Sequence, residues 1–191
     1  MKFSYKAILF ALFAIVLFVP ANKLIAQSGS ELIVEWEAED GTVKVNALRD
    51  AIAADTDRPD DRIYVLRKGG FYWFSETIRN DGWHLRIVGE EPDPSDVFGN
   101  PAVIQSVARE DGSHPDKLIQ ASGSVTLKNL YIVGADESGG QGSYQPVQFD
   151  ANDADYTFDN CIFERSNFAM IAVTGQNNNI LVTNCTFRNL I

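Results

Sequence analysis

The sequence predicts an all-β protein of the parallel β-helix class, a solenoid whose coils stack along one axis. One short strand-rich phrase occurs three times, beginning at Val125, Tyr156 and Ile180. Its fifth residue is always Asn, and the spacings of 31 and 24 residues between these Asn residues are typical of solenoid repeats. The three residues are Asn129, Asn160 and Asn184.

Each phrase predicts two strands joined by a corner at the Asn. Apolar residues two positions apart, such as Leu127 before Asn129 and Ile132 after Leu130, indicate strands with one buried face. The apolar step across the Asn is three residues, so a straight strand would turn its second half outward. A bend restores the inward face, and Asn tolerates the left-handed backbone conformation that such a bend needs. Its amide can also bond to the equivalent Asn of the next coil, so we expect a structural ladder of Asn129, Asn160 and Asn184.

The two cysteines, Cys161 and Cys185, follow the Asn directly in neighbouring coils. Export would permit a disulfide, but small apolar side chains stack at this position and free Cys is a common buried residue. We therefore expect two buried thiols that extend the ladder rather than a bridge. Two sulfur ligands without a nearby His fall short of a zinc site, and we assign no metal site.

These phrases resemble the secreted right-handed parallel β-helix proteins of the pectate-lyase-like superfamily, whose coils commonly end in Asn-Leu-x-Ile or Asn-Cys-x-Phe. The upstream segment is also similar, since a short helix from Asn46 to Ala54 precedes strand phrases that begin at Asp61, Gly70 and Leu85. The resemblance covers roughly residues 43–191 and corresponds to the N-terminal portion of such a protein. It implies a right-handed, single-stranded parallel β-helix with a short N-terminal capping helix.

A leucine-rich repeat is the alternative architecture, because it also stacks an Asn or Cys ladder. Too few positions are Leu, and both sides of the Asn are rich in strand-forming residues, so the pattern favours the β-helix. The third phrase runs to Ile191 without the polar cap that solenoids need. We therefore expect residues 43–191 to be an incomplete β-helix, or, if complete, one that self-associates end to end.

Residues 1–26 have the features of a signal peptide. Lys2 and Lys6 precede an apolar run of 13 residues from Ala7 to Val19, which is too short to span a bilayer. We expect cleavage after Ala26 and no membrane span after cleavage. Residues 27–42 are expected to be a leader that either forms a first strand or stays loose. The expected location is secreted, meaning extracellular, periplasmic or on the surface of a bacterium.

The charge balance excludes several partners. The chain has a net charge of −10, and without Lys2, Lys6 and Lys23 its 13 basic residues face 26 acidic ones. Such a protein does not suit nucleic acid or an anionic membrane. It would also repel a polyanionic substrate unless a local basic patch or a bound cation intervened.

Candidate binding residues lie on the outward face of one predicted sheet and in an adjacent loop. If Ile119, Val147 and Phe149 point inward, their neighbours point outward and could hydrogen-bond sugar hydroxyls. The flexible Gly-rich insertion over residues 134–146 adds an aromatic side chain that could contact sugar. The substrate-binding candidates are Gln120, Tyr144, Gln148 and Asp150.

The same residues do not form a catalytic centre. Proton abstraction beside a uronate needs a base and a group that neutralises the carboxylate, often Ca²⁺, and a hydrolase needs two facing carboxylates. Among these outward residues Asp150 is the one carboxylate. The run from Asp150 to Asp155 resembles a Ca²⁺ loop but fails the EF-hand template. No cofactor is evident, and Ca²⁺ is left open.

Two functions follow from the resemblance and the residues together. The resemblance implies a secreted, carbohydrate-associated protein similar to polysaccharide lyases and glycoside hydrolases that act on extracellular polysaccharide, with its catalytic residues largely beyond Ile191. The outward rungs, poor in acid and base groups, favour the alternative, a non-catalytic carbohydrate-binding or adhesin-like β-helix. Whether the protein is an enzyme stays undecided at this point.

Overall fold

The computed structural model describes residues 30–92, 94–95, 99–140, 142–166 and 168–189. These residues form an all-β structure of fifteen strands in three parallel sheets, with one α-helix, α1 (Ala47–Ala54). The predicted signal peptide, residues 1–26, lies outside the described residues. No helix among the described residues is long and apolar enough to cross a membrane.

The strands of each sheet are given in spatial order. The six-stranded sheet contains β1 (Glu31–Val34), β2 (Ile63–Leu66), β5 (Leu85–Gly89), β8 (Val125–Lys128), β11 (Asp155–Asp159) and β14 (Asn179–Thr183). The five-stranded sheet contains β3 (Phe71–Phe74), β6 (Ala102–Ser106), β9 (Leu130–Asp136), β12 (Ile162–Glu164) and β15 (Thr186–Arg188). The four-stranded sheet contains β4 (Ile78–Asn80), β7 (Ile119–Ala121), β10 (Val147–Phe149) and β13 (Ile171–Val173).

From β2 onward, consecutive strands belong to the six-, five- and four-stranded sheets in turn, and we call one such set of three strands a round. Each strand therefore pairs in parallel with the equivalent strand of the preceding round. The registers place equivalent residues of the repeated phrase side by side, for example Leu127 beside Phe158 and Phe158 beside Val182. Alternate residues point inward, and Leu127, Phe158 and Phe163 are fully buried. Burying each such side chain contributes about 1.5–3 kcal/mol to stability, so repetition of the phrase builds the core.

The three repeated Asn residues form the corners between the six- and five-stranded sheets. Their φ angles are 56° at Asn129, 52° at Asn160 and 55° at Asn184, all in the left-handed region. Asn160 Nδ2 donates to Asn129 Oδ1 at 2.9 Å, and Asn129 Nδ2 donates to the Gly89 carbonyl oxygen at 3.2 Å. The bend therefore has the predicted backbone conformation, and one amide-to-amide hydrogen bond joins neighbouring corners.

The ladder is shorter than expected. Asn184 Nδ2 donates to Asp159 Oδ1 at 3.1 Å and not to Asn160, because the carboxylate is a stronger acceptor than an amide oxygen. Asn129 is buried, whereas Asn160 and Asn184 are exposed.

The cysteines also differ from each other. Both thiols are free, but Cys161 is buried and Cys185 is only half-buried. Cys185 lies in the round of β14 and β15, which are edge strands of their sheets, so one side of its position is less covered.

Helix α1 packs Leu48 and Ile52 into the core, and Asn46, which directly precedes it, does not cap it through its side chain. Its φ is 65° and its side chain makes no capping hydrogen bond. Instead Asn46 Oδ1 accepts from the backbone N–H of Ser75 at 3.0 Å and of Glu76 at 3.2 Å. These bonds tie the start of the helix to the turn after β3.

The segment expected to be a leader contributes to the fold. Residues 31–34 form β1, which pairs with β2 from Glu31 to Val34. Val34 is buried, and its carbonyl oxygen accepts from Tyr72 Oη at 2.6 Å. β1 is the outermost strand of the six-stranded sheet and covers the edge that β2 would otherwise present.

Candidate functional site

The outward face of the four-stranded sheet carries a row of interacting polar side chains, here called the polar row: Arg79, Gln120, Gln148, Asp150 and Thr174. The parallel register places Arg79 beside Gln120 and Gln120 beside Gln148, so these three lie across β4, β7 and β10. Asp150 and Thr174 directly follow β10 and β13. The predicted outward direction of Gln120 and Gln148 is observed, since Ile119, Val147 and Phe149 are fully buried.

Hydrogen bonds join the polar row around Asp150. Gln120 Nε2 donates to Asp150 Oδ2 at 2.6 Å, and Gln148 Nε2 donates to Asp150 Oδ1 at 2.6 Å. Thr174 Oγ1 donates to the same Oδ1 at 2.8 Å. Arg79 donates to Gln120 Oε1 in turn. Three of the four predicted binding candidates, Gln120, Gln148 and Asp150, therefore lie together. Some of their donors and acceptors are already used in hydrogen bonds within the group.

The network sets the charge of Asp150. Partial burial raises the pKa of its carboxyl group, but hydrogen bonds from Gln120, Gln148 and Thr174 and the positive charge of Lys117 outweigh it. The net pKa lies below the ordinary value of 3.8. Asp150 is thus an ionised acceptor at neutral pH, and it does not supply the protonated acid that glycoside hydrolysis needs.

The fourth predicted candidate, Tyr144, pairs with an aromatic residue that the sequence analysis did not select. The rings of Tyr144 and Phe168 stack with centroids 4.9 Å apart and an interplanar angle of 8°. Tyr144 is 46% and Phe168 64% exposed. We call these two residues the aromatic pair. Exposed stacked rings offer apolar faces to a ligand at the surface.

The aromatic pair lies at the edge of the four-stranded sheet where β10 and β13 begin. Each ring precedes the first residue of its strand by three positions, and those first residues, Val147 and Ile171, are register partners. Tyr144 and Phe168 are therefore separated along the chain by the same number of residues as the two paired strands. Equivalent positions in successive repeats could have identified Phe168 from the sequence.

Buried hydroxyl groups hold the segment of the aromatic pair. The buried Ser143 donates through Oγ to the Pro115 carbonyl oxygen at 2.8 Å. The buried Ser166 donates through Oγ to the Tyr144 carbonyl oxygen at 3.3 Å and accepts from the Phe168 backbone N–H at 3.4 Å. These hydrogen bonds hold the backbone beside Tyr144 and Phe168 in place. The two rings of the aromatic pair therefore have a defined position on the surface.

Other sequence candidates have local roles. Asp155, in the run that resembles a Ca²⁺ loop, accepts a hydrogen bond from Asn179 Nδ2 at 2.8 Å. No group of three or more His, Cys, Asp or Glu residues in the described part of the chain is placed to hold a metal ion. Burial raises the pKa of the Cys161 thiol to about 12, so Cys161 is not a nucleophile at neutral pH.

Comparisons with protein-family models, with curated proteins and with solved structures found no match for this chain.

Proposed function

We propose that this chain is a secreted carbohydrate-binding protein whose fold is a right-handed, single-stranded parallel β-helix with α1 as its N-terminal cap. The parallel pairing of each strand with the strand one round earlier supports the solenoid. The packing of Leu48 and Ile52 into the core supports the capping role of α1. The Asn corners support the resemblance to the pectate-lyase-like superfamily.

The observation that carries the function is the exposed aromatic pair before β10 and β13. The polar-row residues Gln148, Asp150 and Thr174 lie in or directly after the same two strands. Sugar rings combine apolar C–H faces with hydroxyl groups, so a surface that binds them needs exposed aromatic faces next to hydrogen-bond donors and acceptors. Tyr144 and Phe168 offer the first, and Gln148 and Thr174 offer the second. Extracellular polysaccharide is the proposed partner, bound along the four-stranded sheet.

Binding is favoured over catalysis for this face. Both oxygens of Asp150 accept hydrogen bonds from neighbours, and its lowered pKa keeps it ionised. An ionised carboxylate held by two hydrogen bonds is suited to accept a hydrogen bond from a sugar hydroxyl. It is less suited to proton transfer, because a general acid or base must gain and lose a proton in each turnover. A lyase or hydrolase activity would therefore draw on residues other than the polar row.

The test is retention in affinity electrophoresis on neutral dextran, galactan and xylan. We expect retention on at least one of these polysaccharides, and we expect Phe168→Ala to weaken it about tenfold, since about 1.5 kcal/mol of apolar contact is lost. Phe71→Ala is the matched control, because Phe71 is similarly exposed at 44% but lies on the five-stranded sheet. Retention on none of the three, or equal loss in both variants, contradicts the proposal.

A further inference from the structure

A basic depression adjoins the polar row. It has a volume of about 260 Å³ and is lined by Thr77, Arg79, Arg109, His114, Asp116 and Lys117. Arg79 belongs to both the depression and the polar row. The lining therefore brings three permanent cations and one carboxylate together on a protein whose net charge is −10.

Sheet pairing and one loop assemble these cations. The Thr77 hydroxyl donates to the Lys117 carbonyl oxygen at 2.8 Å, and the Ile78 N–H donates to the Leu118 carbonyl oxygen at 2.8 Å. The Arg109 guanidinium donates to Ser113 Oγ at 3.1 Å and to the His114 carbonyl oxygen at 3.2 Å. Arg79 thus comes from β4, whereas Arg109 and Lys117 come from the loop between β6 and β7, and the fold holds them side by side.

The cations of the depression are not engaged in salt bridges. Within the residues that the structure describes, Arg79, Arg109 and Lys117 form no ion pair. Arg67 and Arg188, by contrast, are each paired with a carboxylate, Arg67 with Glu90 at 2.7 Å and Arg188 with Glu164 at 2.8 Å. Clustered cations repel one another, and an oxyanion between them relieves that repulsion.

The neighbouring polar row restricts where a ligand can carry charge. Asp150 lies at its centre as an ionised carboxylate, so a sugar acid placed over Asp150 would be repelled. A polysaccharide with an acid group on every sugar would meet both the depression and Asp150. A polysaccharide with isolated acid groups can place one group in the depression and neutral sugars on the polar row and the aromatic pair.

We propose that the basic depression binds a single oxyanion substituent, a sulfate ester or a carboxylate, of a sparsely charged polysaccharide whose adjacent neutral sugars lie on the polar row. This inference rests on the proposed carbohydrate-binding function and names the class of polysaccharide. Guanidinium and ammonium groups donate charge-assisted hydrogen bonds to either oxyanion.

The test compares lightly sulfated, lightly carboxymethylated and unsubstituted forms of dextran, galactan and xylan, with polygalacturonate as the densely charged probe. We expect the lightly charged form of the retained backbone to bind at least tenfold more tightly than both its neutral form and polygalacturonate. The sulfated and carboxymethylated arms identify which oxyanion the depression prefers. Arg109→Gln combined with Lys117→Gln should abolish this preference while leaving retention of the neutral form unchanged.

Lys68→Gln is the matched control, because Lys68 is an exposed cation that does not line the depression. It should retain the full preference. Retention of neutral polysaccharide without any gain from light substitution overturns this inference alone, as does a preference that persists in the double variant. Tightest binding to polygalacturonate also overturns it. Retention of no probe overturns the proposed function and this inference together.

Discussion

Replacement of Asn129 by Ala tests the corner on which the repeated phrase depends. The buried Asn129 side chain donates to the Gly89 carbonyl oxygen and accepts from Asn160 Nδ2 at 2.9 Å. Loss of these bonds, with a buried carbonyl oxygen left unpaired, costs about 1–3 kcal/mol. Ala at a φ of 56° adds about 1–2 kcal/mol of backbone strain. We expect Asn129→Ala to lower the free energy of unfolding by about 2–5 kcal/mol.

Two variants separate these contributions in urea denaturation followed by circular dichroism. Asn129→Gly removes the same hydrogen bonds but tolerates the left-handed backbone, so it should cost less than Asn129→Ala. Asn184→Ala imposes the same strain, at a φ of 55°, but loses only an exposed hydrogen bond. A loss of stability for Asn129→Ala no greater than that for Asn184→Ala would refute the role of the buried corner bonds.

The remaining predictions concern the thiols and Asp150. Cys185 should react with a thiol reagent in the folded protein at slightly alkaline pH while Cys161 stays unmodified, because burial raises the pKa of Cys161 to about 12; equal rates of labelling by mass spectrometry would contradict this. The folded-state pKa of Asp150 lies below 3.8, so its carboxylate contributes stability above that pH and the contribution is lost as the pH falls through the lowered pKa. Asp150→Asn should therefore flatten the fall of the urea midpoint below pH 3.8, and an unchanged pH dependence would show that the network does not hold the ionised form.

The parts of the fold that follow from local pattern were predictable. Alternation of apolar residues defines which side of a strand is buried, and this placed Gln120 and Gln148 on the outward face. The extra residue at each Asn required a bend, and Asn is one of few residues that adopt the left-handed conformation readily. Both properties depend on near neighbours in the chain, so the repeated phrase carries them by itself.

Local pattern failed where a partner elsewhere in the chain competes. Asn46 has the residue type of a helix cap, yet its side chain bonds to the turn at Ser75 and Glu76. Residues 31–34 could be either a first strand or part of a loose leader from their sequence, and their pairing with β2 makes them a strand. Asn184 bonds to Asp159 because that carboxylate is within reach at 3.1 Å. In each case the deciding neighbour is distant in sequence or differs chemically from the repeat.

Four members of the candidate site were therefore known from sequence as separate residues, and they became part of one surface only through tertiary structure. The alternating pattern alone was enough to turn Gln148 outward, because side-chain direction in a strand has a period of two. The sheet register brought Gln120 within 2.6 Å of Asp150, and the anchored insertion stacked Tyr144 on Phe168. The pairing of β4 with β7 and the path of the loop between β6 and β7 gathered Arg79, Arg109 and Lys117 around one depression. Such contacts join segments tens of residues apart, and a short sequence pattern contains no information about the distance between them.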